Sequence, residues 1–304
     1  MQIFLLRLRK QWALQLVILA GLAFLLVFSY TPMVGIVIAF KSYKISSGIQ
    51  GFFTSEWVGL KWFIEFVTDY MFVDIIRNTV VMSAMKICIA FPLPILFALM
   101  LNEIRQPFFK RFVQTASYLP HFISWIVVAG ISFTMFSTQN GLLTEFLKLS
   151  GKKAVPILTE PQYYWRLAIF SEIWKETGWS AIIFIAAIAG VDAALYEAAE
   201  IDGASRLQRA WHITLPEIRG TIVVMLILAM GGLVNGNLEQ ALLMGNALNR
   251  ARSEIIQSYV IKIGLTNFRF DYAAAVGLMQ SLISVTLVFG CNWLSRKLTG
   301  DSLY

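Results

Sequence analysis

Six stretches of this chain are apolar over the length that crosses a bilayer. Spanning about 30 Å of hydrocarbon takes about 20 residues of helix, and residues 14–39, 78–101, 115–136, 165–191, 221–244 and 272–294 qualify. Prolines interrupt three of them: Pro32 in the first, Pro92 and Pro94 in the second, and Pro120 in the third. Backbone groups freed by proline inside lipid need neighbouring helices or a watery cavity, so the pattern predicts a packed bundle of kinked helices. Between the fourth and fifth of these lies a polar interruption, residues 191–220, which reads VDAALYEAAEIDGASRLQRAWHITLPEIRG. Its helix formers predict a short helix over 195–201. A stop follows at Asp202-Gly203, where glycine is free to take positive φ. A second helix is expected over 204–213, with Ser205 as cap and Pro216 as terminator.

Composition sharpens the class. Of the 304 residues 58% are hydrophobic and 14% charged, and the mean hydropathy is +0.67. Soluble domains carry roughly 45 to 50% apolar and about 25% charged residues. Exposed in water, so apolar a chain would aggregate, and it is too apolar for disorder. The fold expected is an all-α polytopic membrane protein. The net charge of +7 comes from scattered bases rather than a stripe, which fits loops facing anionic headgroups and excludes nucleic acid as partner. Arg7, Arg9 and Lys10 precede the first apolar run, as in a signal peptide, but the run is too long and lacks a small-residue cleavage site. It is expected to stay as a membrane helix. Cys88 and Cys291 both lie in apolar runs and are read as core residues. Bases are denser in the shorter loops, which places both termini in the cytoplasm. The divisions expected are an amphipathic cytoplasmic N-terminus over 1–13, a membrane domain over 14–296 and a cytoplasmic tail over 297–304.

Charged groups inside a bilayer cost about 2.5 to 3.5 kcal/mol each on insertion scales, so they face a cavity or a partner. Lys86, Glu172, Lys175 and Glu176 are such groups. Glu172 and Lys175 are three apart on one helix face and are expected to pair. Such a pair either staples the bundle or lines a path, and Lys86 either joins it or snorkels to the interface. The segment around Asn235, Asn237, Glu239 and Gln240 collects hydrogen-bonding groups where lipid would demand apolar ones. Sugars need such groups, and aromatic faces for their C–H surfaces. Trp174 and Trp179 either supply those faces or anchor the interface. Gln280 and Ser284, four apart, are weaker candidates for the same path. His121 and His212 have no second ligand nearby and are read as structural, with no metal site. Ser150-Gly151-Lys152-Lys153 lacks the upstream glycine and the hydroxyl of a phosphate loop, so no ATP hydrolysis is expected of this chain.

The loop carries more than its helices. Glu197-Ala198-Ala199, Asp202-Gly203-Ala204, and Ile213, Leu215 and Pro216 resemble the EAA loop of permease subunits of binding-protein-dependent ABC importers. Ala210 and Gly220 depart from that pattern, where an aromatic and a proline are common. Leu119-Pro120-His121-Phe122-Ile123-Ser124-Trp125, Trp174-Lys175-Glu176-Thr177-Gly178-Trp179 and Phe28-Ser29-Tyr30-Thr31-Pro32-Met33 are similar to the carbohydrate-uptake branch that takes oligosaccharides and polysaccharide fragments. The resemblance covers nearly the whole chain. It implies six transmembrane helices with a cytoplasmic coupling helix between the fourth and fifth, in a bacterial cytoplasmic membrane. It also implies a second permease subunit in a heterodimer, two ATPase subunits that bind ATP and Mg, and an extracellular or periplasmic sugar-binding protein. An ion-gradient-driven secondary transporter is the alternative, disfavoured because no internal repeat is visible. A membrane enzyme lacks a catalytic cluster.

Overall fold

A computed structural model describes residues 11–233 and 237–299. Every regular element among them is helical, and Lys41 and Trp57 make an isolated antiparallel bridge. Three helices are long and apolar enough to cross a membrane: α1 (Trp12–Phe40), α2 (Phe72–Asn102), and the apolar part Phe270–Gly290 of a helix running Phe270–Thr299. Three bent pairs pass the same test together. They are α3 (Pro107–Phe122) with α4 (Trp125–Phe136) at 100°, α5 (Pro161–Ala189) with α6 (Ala193–Ile201) at 74°, and α7 (Arg206–Glu217) with α8 (Arg219–Gly232) at 65°. The count of spans is therefore three, rising to six if each pair is one. A short helix, α9 (Leu238–Met244), follows α8.

Pro120 lies in the turn Leu119–Phe122, just before the 100° bend between α3 and α4, and other prolines are accommodated by a change in the helix itself. Pro32, Pro92 and Pro216 each follow a widened turn with i to i+5 bonding, at Leu26–Tyr30, Lys86–Ala90 and Ala210–Thr214. A proline ring crowds the carbonyl four residues back and leaves it without a donor, and a wider turn relieves both. In the second case the Phe91 amide closes on the Lys86 carbonyl at 2.8 Å. Near Pro32 the Thr31 hydroxyl donates to the Leu26 carbonyl at 2.8 Å.

Contacts divide the chain into two compact units, residues 1–68 with 260–279, and residues 69–259 with 280–304. In the first, the buried Lys41 ammonium donates to the carbonyls of Phe52 (2.7 Å) and Phe53 (3.3 Å) beneath the Trp57 ring, and the Trp62 indole donates to the Lys41 carbonyl. Arg269 forms a two-pronged pair with Glu65 at 2.6 and 3.0 Å. α1 buries nothing over Trp12–Leu25, so lipid or another chain must cover it.

The second unit is organised on α5, whose 29 residues extend about 43 Å. Ile95, Ala98, Ala181, Phe184, Ile188 and Ile218 form one core cluster, where α2 packs along α5. Met82, Ala129, Leu158, Tyr164, Leu167, Ala168 and Met244 form another. Two expectations are corrected here. Cys88 is exposed rather than core: it lies two residues past Lys86, close to half a turn further round the widened helix, and so faces away from the cavity that Lys86 borders. In a membrane span, apolar does not mean interior. The side chain of Cys291 lies outside what is described. The span expected over 221–244 is also divided, because Asn237 leaves helical geometry (φ −103°, ψ 88°) and caps α9 by accepting from the Gln240 amide.

Candidate functional site

Two sites arise in the second unit. The first is the hairpin of α6 and α7. Asp192 caps α6 by accepting from the Ala194 amide at 2.9 Å, a start two residues before the expected one. The helix closes with the Ala204 amide on the Ala199 carbonyl and the Gly203 amide on Glu200, around Gly203 at φ +74°. This doubly bonded ending requires a left-handed residue, which only glycine adopts at little cost. Ser205 then caps α7, and the Gln208 side chain returns to the Ser205 amide in a capping box. The helix expected to stop at Pro216 runs one residue further, to Glu217.

Side chains then bind the two helices of the hairpin together. The hydroxyls of Tyr196 and Thr214 meet at 2.9 Å, and Arg209 reaches Glu200 at 3.4 Å. Arg206 reaches Glu103 at 3.6 Å. Glu197, Ala198, Asp202, Gly203 and Pro216 are exposed, whereas Ala199, Ala204, Ile213 and Leu215 are half-buried. Sequence reasoning missed the apolar residues that stand out from this hairpin: Ile201 is 88% exposed, Leu207 69% and Trp211 59%. A stiff hairpin that holds large apolar groups in the open is built to be covered by another surface.

The second site is a cavity of about 330 Å³ between α2, α5 and α8. Lys86 and Glu172 meet on its wall at 3.0 Å, with Glu176, Thr177 and Ser180 further along α5. Glu172, Glu176 and Ser180 recur every four residues, a one-face spacing that would have revealed this wall in the sequence. The pairing expected between Glu172 and Lys175 does not form. Lys175 instead donates to Glu176 at 2.8 Å and to the His121 carbonyl at 2.7 Å, beneath the Trp125 ring. Partners on neighbouring helices draw the two side chains apart. His121 in turn meets Glu176 at 2.6 Å and stacks flat on Trp179, ring centres 4.5 Å apart. Trp179 is thus engaged by a side chain of its own chain, and neither it nor Trp174 lines the cavity.

Other expected path residues scatter. Asn235 lies outside the described residues. Asn237 and Gln240 border a second cavity of only about 10 Å³, which Lys86 also borders. Gln240 donates to the Ala168 carbonyl and the Ser171 hydroxyl, so its amide fastens α9 to α5. Glu239 is exposed. Gln280 is buried, and the Ser284 hydroxyl donates to its carbonyl at 3.1 Å.

These features, a helical chain with apolar spans, a stiff exposed hairpin and a half-open cavity carrying charged groups, fit a transport subunit. Residues 90–300 match the binding-protein-dependent transport system inner membrane component family, and the chain belongs to it. It is 41% identical over 296 residues to Protein LplB of Bacillus subtilis (strain 168), covering 97% of this chain and 92% of that protein. It is 44% identical over 300 residues to the polygalacturonan/rhamnogalacturonan transport system permease protein YteP of the same organism, covering 99% and 92%. A crystal structure of a bacterial ABC transporter that imports the acidic polysaccharide alginate superposes with a TM-score of 0.90 at 33% identity, covering 97% of this chain and 99% of that one. A bacterial alginate ABC transporter in complex with an alginate pentasaccharide-bound periplasmic protein gives a TM-score of 0.89 at 33% identity, covering 98% of each chain. The fold is that of an ABC importer permease, as the resemblance in residues 191–220 implied.

Proposed function

We propose that this chain is one of two permease subunits that together form the path of an ATP-driven importer for oligosaccharides released from a polysaccharide. Two ATPase subunits, which bind ATP and Mg, dock on the hairpin of α6 and α7, and a periplasmic or extracellular sugar-binding protein delivers the substrate to the opposite face. Both termini lie in the cytoplasm. The substrate class rests on relatives whose names specify polygalacturonan, rhamnogalacturonan and alginate. The observation that carries the mechanism is the hairpin: capped at both helices, turned at Gly203, and presenting Ile201, Leu207 and Trp211 outward. Its continuity with α8 through Ile218 makes it a short lever on the membrane helices.

Cross-linking tests this reading. Ala198 is exposed and Ala199 half-buried. A cysteine at either, or at Ile201, is expected to cross-link to the ATPase in the purified assembly and to hold it docked through the cycle. Failure of all three in an assembly that transports would remove the hairpin as the ATPase contact.

A further inference from the structure

Unused hydrogen-bonding capacity converges on one wall of the 330 Å³ cavity. Both oxygens of Glu176 have a partner, one Lys175 and the other His121. Glu172 differs: its Oε1 meets Lys86, while its Oε2 is buried and finds no donor among the described residues. An ammonium carries three N–H donors, and among the described residues Lys86 is paired with Glu172 alone. Lys86 opens the widened turn Lys86–Ala90 and borders both the larger and the smaller cavity. Thr177 and Ser180 bring hydroxyls to the same wall, and Phe91, Phe184 and Leu228 make the rest apolar. A few convergent polar groups on an apolar lining are the makings of a small-molecule site.

The pattern of donors and acceptors selects its ligand. A carboxylate oxygen with spare lone pairs stands beside an ammonium with spare N–H groups, which matches two adjacent hydroxyls of a sugar ring. One hydroxyl donates to Glu172, and the neighbouring oxygen accepts from Lys86. A sugar carboxylate fits less well. It would bring a negative charge against Glu172 and Glu176, while Lys175 is buried and turned to the His121 carbonyl. Lys86 and Lys175 match Glu172 and Glu176 in number, and the remaining basic ring, His121, is held by Glu176 and Trp179. On the reading that this chain lines an importer path, we propose that Lys86 and Glu172 form a subsite for the vicinal hydroxyls of an uncharged sugar ring, and that substrate carboxylates are not held there.

The test uses the whole assembly in nanodiscs, this chain carrying Thr177→Cys. Labelling at that position by a small methanethiosulfonate reagent is followed by peptide mass spectrometry, with saturating galactobiose or digalacturonate. Galactobiose is expected to slow labelling severalfold and digalacturonate to leave it nearly unchanged. Adding Glu172→Gln or Lys86→Met should abolish the protection. The glutamine amide lacks the carboxylate charge and one of its two acceptor oxygens, so it cannot accept strongly from Lys86 and from the sugar hydroxyl at once. Should Lys86→Met fail to assemble, Glu172→Gln, which keeps the size of the side chain, decides. Equal or better protection by digalacturonate, no protection by galactobiose, or full protection in the Glu172→Gln variant overturns the subsite. ATP-driven uptake by the same assembly in vesicles separates the two readings. Uptake without protection rejects the subsite and keeps the importer, whereas absence of uptake of any oligosaccharide rejects the importer itself.

Discussion

Lys175→Met is expected to lower the melting temperature of the purified assembly more than any other single change to the α5 charges. The Lys175 side chain is 7% exposed, and its ammonium makes two short contacts, to Glu176 and to the carbonyl of His121. That carbonyl belongs to the turn Leu119–Phe122, just before the 100° bend between α3 and α4, so one cation fixes the bend against α5. Methionine fills a similar volume but leaves the Glu176 carboxylate with His121 as its remaining partner and the carbonyl without its donor. Breaking a fully buried pair from one side costs about 3 to 5 kcal/mol, and the loss here should be smaller, because the Glu176 side chain is 33% exposed and water screens the charge left behind. The double change Lys175→Met with Glu176→Gln should recover part of that loss, since it removes the charge as well. A Lys175→Met assembly that melts with the wild type would show that this contact does not hold the bend.

Gly178→Ala should be nearly as damaging, through shape rather than charge. A Cβ at Gly178 would lie 2.1 Å from the Ser117 carbonyl oxygen and 2.5 Å from its carbon. Both are backbone atoms, so no side-chain rotation relieves the overlap and α3 must move away from α5. Overpacking of this kind costs about 1 to 3 kcal/mol. Gly130→Ala is the control: Gly130 lies within α4, and a Cβ there meets nothing within 4 Å. It should be neutral or slightly stabilising, because alanine is the better helix former. Melting of the two variants side by side checks the prediction, and equal melting temperatures would contradict it.

Much of this was legible in the sequence, for reasons that also mark the limits. Apolar length locates membrane helices because the bilayer fixes it, so the expected spans fall within a few residues of α1, α2 and Phe270–Thr299. Local chemistry located the Gly203 turn and the Ser205 cap, since the residues that decide them lie within a few positions. Two-body choices were not legible. Whether Lys175 pairs with Glu172 or with Glu176 depends on where the His121 carbonyl lies, more than fifty residues away. The prolines were read as disruptions, and the sequence did not show that Pro32 and Pro92 follow widened turns whereas Pro120 and Pro216 lie just before bends of 100° and 65°. Asn237 stood out because it is polar in an apolar setting, and the sequence did not show that its side chain also caps α9. Ile201 and Leu207 escaped notice because an apolar residue in a short amphipathic helix ordinarily faces inward.

The central claim is that ATP hydrolysis by partner subunits drives uptake through this chain by way of the α6 and α7 hairpin. Such coupling is reciprocal at equilibrium, since whatever favours one state of the path favours the matching state of the ATPases by the same free energy. Shifting a two-state population from 1:99 to 99:1 takes about 5.5 kcal/mol of differential binding, more than a slack tether transmits. The most direct measurement is oligosaccharide uptake into vesicles containing the full assembly and its sugar-binding protein, with ATP or with an ion gradient alone. The account predicts uptake with ATP only, and its loss when Glu197→Ala and Gly203→Val are combined. Uptake driven by the gradient without ATP, or undiminished in that double variant, would contradict it.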